Sequence, residues 1–131
     1  MPVKGIQHYN IRAPLPVLER ARDFYVGVLG MTPGDRPAFA TSGVWLYAGG
    51  DPIVHLSARS TGDEPDAEAD GGQGFLTHLA LKCTGLDAML RRLIEFDIPF
   101  EIDEDPSHSQ VQIYVADPAG VELELTFIGE R

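Results

Sequence analysis

The chain has 131 residues, of which 20 are acidic and 10 are basic, so its formal charge is −10. Binding to nucleic acid or anionic lipid needs clustered cations that release counterions, and an acidic chain repels both. We therefore expect neither as a partner. No apolar run approaches the ~18 residues of a membrane span and the start lacks a secretory signal, so we expect a cytoplasmic location. The single cysteine excludes an intrachain disulfide.

The first predicted strand, residues 5–11, carries His8 and leads into an amphipathic helix. Apolar residues recur at helical spacing over residues 15–29, and Gly30 ends that pattern. Three further strands are predicted: a weak one near 36–40, then 44–48 and 53–58 on either side of a Gly-Gly-Asp-Pro turn. Residues 1–58 are thus predicted to form a βαβββ module.

Residues 59–74 differ in composition from the segments on either side. Residues 60–74 contain five acidic side chains, and Thr61 is their only aromatic or β-branched residue. Such a segment buries too little apolar surface to order itself. We predict an acidic, flexible connector in the middle of the chain.

The second half, residues 75–131, repeats the plan of the first. Residues 75–81 (FLTHLAL) resemble 5–11 (GIQHYNI), and an apolar helical stripe follows over 86–94. Strands are then predicted at 100–103, 110–116 and 121–127, the last two joined by an Asp-Pro-Ala-Gly turn. The predicted fold is α+β: one domain of two βαβββ modules, forming a cupped mixed eight-stranded sheet with helices on its outer face.

Strand alternation assigns side chains to the two faces of this sheet, because successive residues point to opposite sides. One face is apolar and should lie under the helices. The other is predicted to carry His8, Asn10, Arg12, Trp45, Tyr47, Ile53, His55, Ser57, His78, Lys82, Gln112, Tyr114, Glu122, Glu124 and Thr126. A polar concavity of this kind is where a ligand is expected to bind.

Three of the four histidines share the polar face, each expected in the middle of a strand, and Glu124 joins them. Imidazole and carboxylate groups bind Zn²⁺, Fe²⁺, Mn²⁺ and Ni²⁺, and two histidines with one carboxylate form the facial site of non-haem Fe(II) oxygenases. His8, His55, His78 and Glu124 are therefore candidate metal ligands, with Glu122 as a competing carboxylate. A lone strand histidine is more often structural, and His108, in a predicted loop, belongs to that class.

The chain resembles the vicinal oxygen chelate superfamily, which includes glyoxalase I, extradiol dioxygenases, fosfomycin and bleomycin resistance proteins and methylmalonyl-CoA epimerase. The resemblance covers nearly the whole sequence. It rests on the strand with His8, on residues 21–25 (ARDFY) and 28–31 (VLGM), on His78, and on residues 117–120 (DPAG) leading to Glu124. In that pattern the carboxylate four residues after the turn glycine is the ligand, which selects Glu124 over Glu122.

The branches of the superfamily differ in their ligand sets. Glyoxalase I-like members carry a glutamate where this chain has His55. Extradiol dioxygenase-like members use two histidines and one glutamate, a tyrosine ten residues before that glutamate, and a non-ligand acid–base histidine. His8, His78, Glu124, Tyr114 and His55 would supply these parts, although extradiol enzymes are commonly longer. Fosfomycin-resistance-like members use a similar ligand set, whereas bleomycin-binding members lack the metal.

The resemblance implies a divalent metal that chelates two neighbouring oxygens of a small-molecule substrate. We favour an extradiol dioxygenase-like oxidoreductase that cleaves a catechol or biphenyldiol ring with Fe²⁺ or Mn²⁺. The alternatives are a glyoxalase I-like lyase or isomerase with Zn²⁺ or Ni²⁺, and a protein that sequesters a small molecule or antibiotic.

The predicted site has His8, His78 and Glu124 as metal ligands. His55 is a catalytic residue or a fourth ligand, and Tyr114 is the second catalytic residue. The predicted substrate contacts are Trp45, Tyr47, Phe39 and Gln112. Because an eight-stranded cup of two small modules leaves open edges, and because members of the superfamily usually pair, we also expect a homodimer.

Overall fold

The computed structural model describes residues 2–37, 42–59 and 75–130. The chain divides into two compact units, Met1–Glu68 and Ala69–Arg131. Apart from Arg59, the predicted connector lies outside the described residues. No helix within the described ranges is long and apolar enough to cross a membrane.

The first unit folds as one βαβββ module. Its elements are β1 (Tyr9–Ala13), α1 (Leu15–Asp23) continued by a π-helical turn (Phe24–Val28), β2 (Thr32–Gly34), β3 (Gly43–Ala48) and β4 (Asp51–Ala58). The strand order is β1-β4-β3-β2. The β1–β4 pair is parallel, and the other two pairs are antiparallel.

The second unit has the same topology. Its elements are β5 (Leu79–Cys83), α2 (Leu86–Glu95), β6 (Glu101–Asp105), a 3₁₀ turn (Pro106–His108), β7 (Gln110–Ala116) and β8 (Glu122–Ile128), with strand order β5-β8-β7-β6. Eight strands in two four-stranded mixed sheets, with one long helix per unit, confirm the predicted fold class of two βαβββ modules.

The burial pattern follows the predicted alternation. In β8, Leu123, Leu125 and Phe127 are almost fully buried, whereas Glu124 and Thr126 on the opposite face are only partly covered. In β4, Val54 and Leu56 are likewise buried. Each sheet therefore has one buried apolar face and one partly exposed polar face.

The weak strand predicted near residues 36–40 differs from the structure. The strand lies earlier, at Thr32–Gly34, and residues 38–40 lie outside the described ranges. Gly34 pairs with Trp45 of β3, and the ring of Tyr47 covers it so closely that an added Cβ would lie 2.7 Å from Tyr47 Cε1. The strand at Thr32–Gly34 was not predicted because it is short and contains a proline and a glycine, which are both rare within strands.

Candidate metal and substrate site

His8, His55 and Trp45 form a stack of three rings in the first unit. The ring centroids of His8 and His55 are 3.8 Å apart with planes inclined by 11°, and those of Trp45 and His55 are 4.0 Å apart with planes inclined by 10°. Strand pairing explains the stack, since His55 in β4 lies opposite Asn10 of β1 and Trp45 of β3. His55 is thus held between rings contributed from both sides.

His8 and His78 stand one residue before β1 and β5, not in the middle of strands as predicted. Each lies at a strand mouth, the position directly before the first residue of the strand, and is exposed. His55, by contrast, lies within β4 and is half-buried. The three histidines therefore occupy two kinds of environment.

The two ring nitrogens of His55 have distinct roles. Nε2 lies 3.0 Å from the carbonyl oxygen of Pro52. A carbonyl oxygen only accepts, so Nε2–H is the donor and the lone pair lies on Nδ1. Burial of the ring, and next the charge of His8, lower the pKa of His55 below its usual value, although the hydrogen bond to Pro52 opposes this. The neutral imidazole, with a basic Nδ1, is favoured.

The stacked geometry determines whether His8 and His55 can bind one metal ion together. The lone pair of an imidazole nitrogen lies in the plane of its ring, and the two planes here are nearly parallel. Two such lone pairs do not converge on one point within metal-ligand distance, about 2.0–2.1 Å. While the rings are stacked, His8 and His55 therefore cannot bind the same ion.

The second unit brings His78 and Glu124 together. His78 Nε2 lies 3.2 Å from Glu124 Oε1, and the glutamate side chain is only 13% exposed. The other carboxylate oxygen, Oε2, accepts hydrogen bonds from Gln112 Nε2 at 2.6 Å and from Thr126 Oγ1 at 3.2 Å. A largely buried carboxylate needs such partners. Glu124 is thus held in place with Oε1 facing the imidazole.

Tyr114 lies directly beside this carboxylate, since β7 and β8 pair Tyr114 with Glu124. Partial burial, followed by the negative charges of Glu124 and Asp103, raises the pKa of the Tyr114 phenol. The phenol is therefore protonated around neutral pH and is a hydrogen-bond donor. Its donor role toward a substrate stays a prediction.

The predicted substrate contacts fall in three different settings. Trp45 and His55 line a cleft of ≈ 510 Å³. The other residues that line this cleft are Ile6, Gln7, Asp51, Pro52 and Ile53. Tyr47 instead donates its hydroxyl to the carbonyl oxygen of Asp35 at 2.7 Å, which fastens β3 to the segment after β2. Gln112 donates a hydrogen bond from Nε2 to Glu124. Phe39 lies outside the described residues.

The remaining two candidates, Glu122 and His108, contact other residues. Glu122 lies opposite Ala116 and is exposed, lining a cleft with Tyr114, Glu101 and Phe100. His108 Nδ1 lies 2.8 Å from Asp105 Oδ2 on the 3₁₀ turn. The hydrogen bond of Ser107, and next that of His108, lower the pKa of Asp105. His108 is thus a local turn residue, in line with its assignment from the sequence.

Three partners were missed by sequence reasoning. Gln7 and Thr77 each bond Nδ1 of the histidine that follows them, and Gln112 orients the carboxylate of Glu124. For Gln112 a signal existed, because alternation already placed it on the polar face one strand from Glu124. For Gln7 and Thr77 the only signal is that a polar residue precedes the histidine in both repeats.

The donor chemistry of these groups fits a divalent transition metal. Imidazole nitrogens and a carboxylate oxygen are the ligands of Fe²⁺, Mn²⁺, Zn²⁺ and Ni²⁺. Within the described residues, no group of three or more His, Cys, Asp or Glu side chains has the proximity needed to hold an ion. His78 and Glu124 are side chains of these types in the second unit, and His8 is one in the first.

A duplicated βαβββ module is the architecture of the vicinal oxygen chelate proteins. The model of the Glyoxalase/Bleomycin resistance protein/Dioxygenase superfamily matches residues 5–125, and the chain belongs to that family. Proteins of this family typically use a divalent metal ion. No relative matches the chain among curated proteins.

Solved structures of the same fold cover almost the whole chain. A glyoxalase family protein from Bacillus anthracis is 25% identical with a TM-score of 0.70, covering 96% of both chains. A glyoxylase/bleomycin resistance protein/dioxygenase domain from Frankia sp. EAN1pec is 20% identical with a TM-score of 0.75, covering 98% of this chain and 94% of its own. Lactoylglutathione lyase from Agrobacterium tumefaciens is 21% identical with a TM-score of 0.66, covering 96% and 95%.

Proposed function

We propose that the chain is a metal-dependent enzyme of the extradiol dioxygenase type that opens the ring of a catechol-like diol. In this proposal His8, His78 and Glu124 bind Fe²⁺ or Mn²⁺, and His55 is a catalytic base that does not bind the metal. The supporting observation is the parallel stack of His8 and His55, which is incompatible with both rings binding one ion. A two-histidine, one-carboxylate set leaves coordination positions for substrate.

A bound divalent ion would chelate the two neighbouring oxygens of the diol and stabilise the negative charge that develops on them. The chain's own residues would do the rest. Nδ1 of His55, whose lone pair is directed by the Nε2–H bond to Pro52, would accept a proton from a substrate hydroxyl. Trp45, beside it in the cleft, offers an apolar wall for a planar ring.

The second unit would supply the carboxylate and the proton donor. Gln112 and Thr126 hold Glu124 through Oε2 and leave Oε1 to the metal. The Tyr114 phenol, protonated because its pKa is raised, would donate a hydrogen bond to a substrate oxygen. In this proposal Gln112 orients the carboxylate of Glu124, and Tyr114 donates a hydrogen bond to substrate.

A direct test compares metal content and oxygen consumption. The full chain is reconstituted with Fe²⁺ or Mn²⁺ without oxygen, and oxygen uptake is then followed with catechol, substituted catechols and 2,3-dihydroxybiphenyl. The proposal expects uptake with at least one diol. Stoichiometric Zn²⁺ or Ni²⁺ with no uptake from any diol would point to the lyase, and tight binding of a small molecule without turnover would point to sequestration.

The ligand assignment is tested on the same preparations. His8→Ala, His78→Ala and Glu124→Ala should each lower bound metal, whereas His108→Ala, which removes a histidine of the 3₁₀ turn, should not. Unchanged metal content in the first three variants would overturn the assignment. We further propose a cytoplasmic homodimer, and sedimentation of the metal-loaded protein as a monomer would contradict the dimer.

A further inference from the structure

Each of the two strand-mouth histidines has a polar neighbour bonded to the same ring nitrogen. Gln7 Oε1 lies 2.9 Å from His8 Nδ1, and Thr77 Oγ1 lies 2.9 Å from His78 Nδ1. Gln7 and Thr77 occupy equivalent positions in the two repeats, directly before the histidine. The same contact thus occurs twice, made by two chemically different side chains.

We infer that Gln7 and Thr77 are positioning residues that present Nε2 of His8 and His78 to the metal, an inference that rests on the proposed metal site. A histidine that binds a metal through one nitrogen usually donates its other N–H to a nearby acceptor, which fixes the tautomer and the ring orientation. Both contacts involve Nδ1, so the nitrogen they leave for a ligand is Nε2 in both repeats.

At His8 the direction of the hydrogen bond is determined by the chemistry of its partner. The amide oxygen of Gln7 only accepts, so His8 Nδ1–H must donate, and the lone pair lies on Nε2. The stack on His55 fixes the plane of the same ring. Gln7 therefore determines which nitrogen is basic, while the stack determines where the ring plane lies.

At His78 the neighbour is a hydroxyl, and a hydroxyl both donates and accepts. Nε2 of His78 lies 3.2 Å from Glu124 Oε1, and Thr77 Oγ1 is the partner of Nδ1; the hydroxyl oxygen accepts when Nδ1 carries a proton and donates when it does not. In the neutral tautomer that binds a metal through Nε2, the proton of the ring is on Nδ1. Rotation of the Thr77 hydroxyl then lets the same oxygen accept from Nδ1–H without movement of the ring.

The first readout is the tautomer of His8, observed in the metal-free protein. Long-range ¹H–¹⁵N spectra of the imidazoles, recorded well above the usual histidine pKa of about 6.5, distinguish Nδ1–H from Nε2–H. His8 should be in the Nδ1–H form. Gln7→Ala should shift it toward Nε2–H, and Gln7→Glu, which keeps an acceptor oxygen, should retain the Nδ1–H form. An Nε2–H tautomer of His8 in the unmodified protein would overturn the inference for Gln7.

The second readout is the affinity for Mn²⁺, measured from the EPR signal of the free ion. Gln7→Ala and Thr77→Val should each weaken Mn²⁺ binding about 10-fold. Removal of such a hydrogen-bond partner usually costs about 10-fold to 100-fold in metal affinity, and the smaller loss is expected here because water can replace both exposed contacts. Thr77→Ser, which keeps the hydroxyl, should restore the affinity. Ser107→Ala is the matched control, since Ser107 makes the same neighbour contact to Nδ1 of His108 at 3.1 Å; it should have no effect.

The outcomes separate this inference from the proposed metal site. If His8→Ala abolishes Mn²⁺ binding while Gln7→Ala and Thr77→Val bind as tightly as the unmodified chain, the positioning role is wrong and the metal site stands. If His8→Ala and Glu124→Ala also leave the affinity unchanged, the metal site itself is wrong. A loss of affinity in Ser107→Ala equal to that in Thr77→Val would show a general effect of removing hydroxyls and would overturn the role of Thr77.

Discussion

The side-chain amide of Gln112 donates a 2.6 Å hydrogen bond to Glu124 Oε2, across the antiparallel pair β7–β8. The bond leaves Oε1 of the same carboxylate facing His78. The second oxygen of a metal-binding carboxylate commonly has such a partner, and its removal changes affinity rather than ligand identity. We therefore propose that Gln112 orients this carboxylate, while its contact with substrate stays a prediction.

Gln112→Leu should weaken Mn²⁺ binding about 10-fold to 100-fold, because the freed carboxylate can rotate away from the position that faces His78. Free Mn²⁺ measured by EPR gives the affinity. Gln110→Leu, on the same strand and face, is the control and should bind as the unmodified chain does. If Gln112→Leu keeps the full affinity but loses turnover, Gln112 contacts substrate, as the sequence had predicted.

His55→Phe should retain bound metal and lose ring cleavage. Phenylalanine keeps an aromatic ring between His8 and Trp45 but removes Nδ1, the proposed base, and loss of a general base costs about 10²-fold to 10⁴-fold in rate. Metal analysis and oxygen uptake on one preparation measure both quantities. His108→Phe, the same substitution on the 3₁₀ turn outside the proposed site, is the control and should keep both metal and ring cleavage. Loss of metal in His55→Phe alone would instead support a four-ligand site of the glyoxalase type.

The sequence predicted which face each strand residue occupies because a period of two is a local property. Leu125 and Glu124 were assigned to opposite faces by alternation alone, and the structure agrees. The stack of His8 on His55 could not be predicted in this way, since it depends on β1 pairing with β4 rather than with the sequence neighbour β2. Alternation within a strand thus predicts which residues share a face of the sheet, whereas the order of the strands determines which side chains are in contact.

The contact of Glu130 with α2 is a long-range feature of the same kind. Its carboxylate accepts hydrogen bonds from the backbone N–H of Leu86 at 2.8 Å and of Gly85 at 3.1 Å. These are orphan donors at a helix start where no local side chain provides a cap. The sequence shows only an acid near the end of the chain, far from the helix it stabilises.

Glu130→Ala should lower the free energy of unfolding by about 1 kcal/mol, the usual value of an N-terminal cap, because the two N–H groups lose a charged acceptor at the positive end of the helix dipole. Urea denaturation followed by circular dichroism measures the difference. Glu19→Ala, an exposed position on α1, is the control for loss of an acidic side chain. Equal stability of the two variants would contradict the capping role.

Cys83 should react slowly with thiol reagents in the folded protein. Burial raises the pKa of its thiol from 9.0 to about 11, so the reactive thiolate is scarce at neutral pH. The rate of reaction with a chromogenic disulfide should rise as the pH approaches 11, and the urea-unfolded chain should react faster at every lower pH. Folded protein that reacts as fast as unfolded protein at pH 7 would contradict the burial of the thiol.

The raised pKa of the Cys83 thiol also makes the free energy of unfolding depend on pH. The unfolded thiol ionises at a lower pH than the folded one, so between the two pKa values the folded state holds more protons. The contribution of Cys83 to the free energy of unfolding is therefore present below the unfolded pKa and is lost as the pH rises through the folded pKa. Relative to Cys83→Ala, the unmodified chain should lose stability between about pH 9 and pH 11, as urea titrations at fixed pH values would measure.

Gly43→Ala should destabilise the first unit, although Gly43 has an ordinary negative φ. A Cβ at this position would overlap the backbone carbonyl oxygen of Leu56 and approach Arg36 Nη2 to 2.9 Å. A backbone oxygen in a strand cannot withdraw without breaking the β3–β4 pairing that holds Trp45 beside His55. Forcing a methyl group into a filled space costs about 1–3 kcal/mol.

The matched control is Gly27→Ala, because an added Cβ there meets no atom within 4 Å. Alanine in that open position of the π-helical turn should be neutral or stabilising by up to about 1 kcal/mol, since alanine has less freedom to lose on folding. Urea denaturation compares the two variants directly. Because the clash displaces β3 against β4, Gly43→Ala should also change the fluorescence of Trp45, the only tryptophan in the chain; an unchanged spectrum together with unchanged stability would mean that the two strands lie farther apart at this point than the structure indicates.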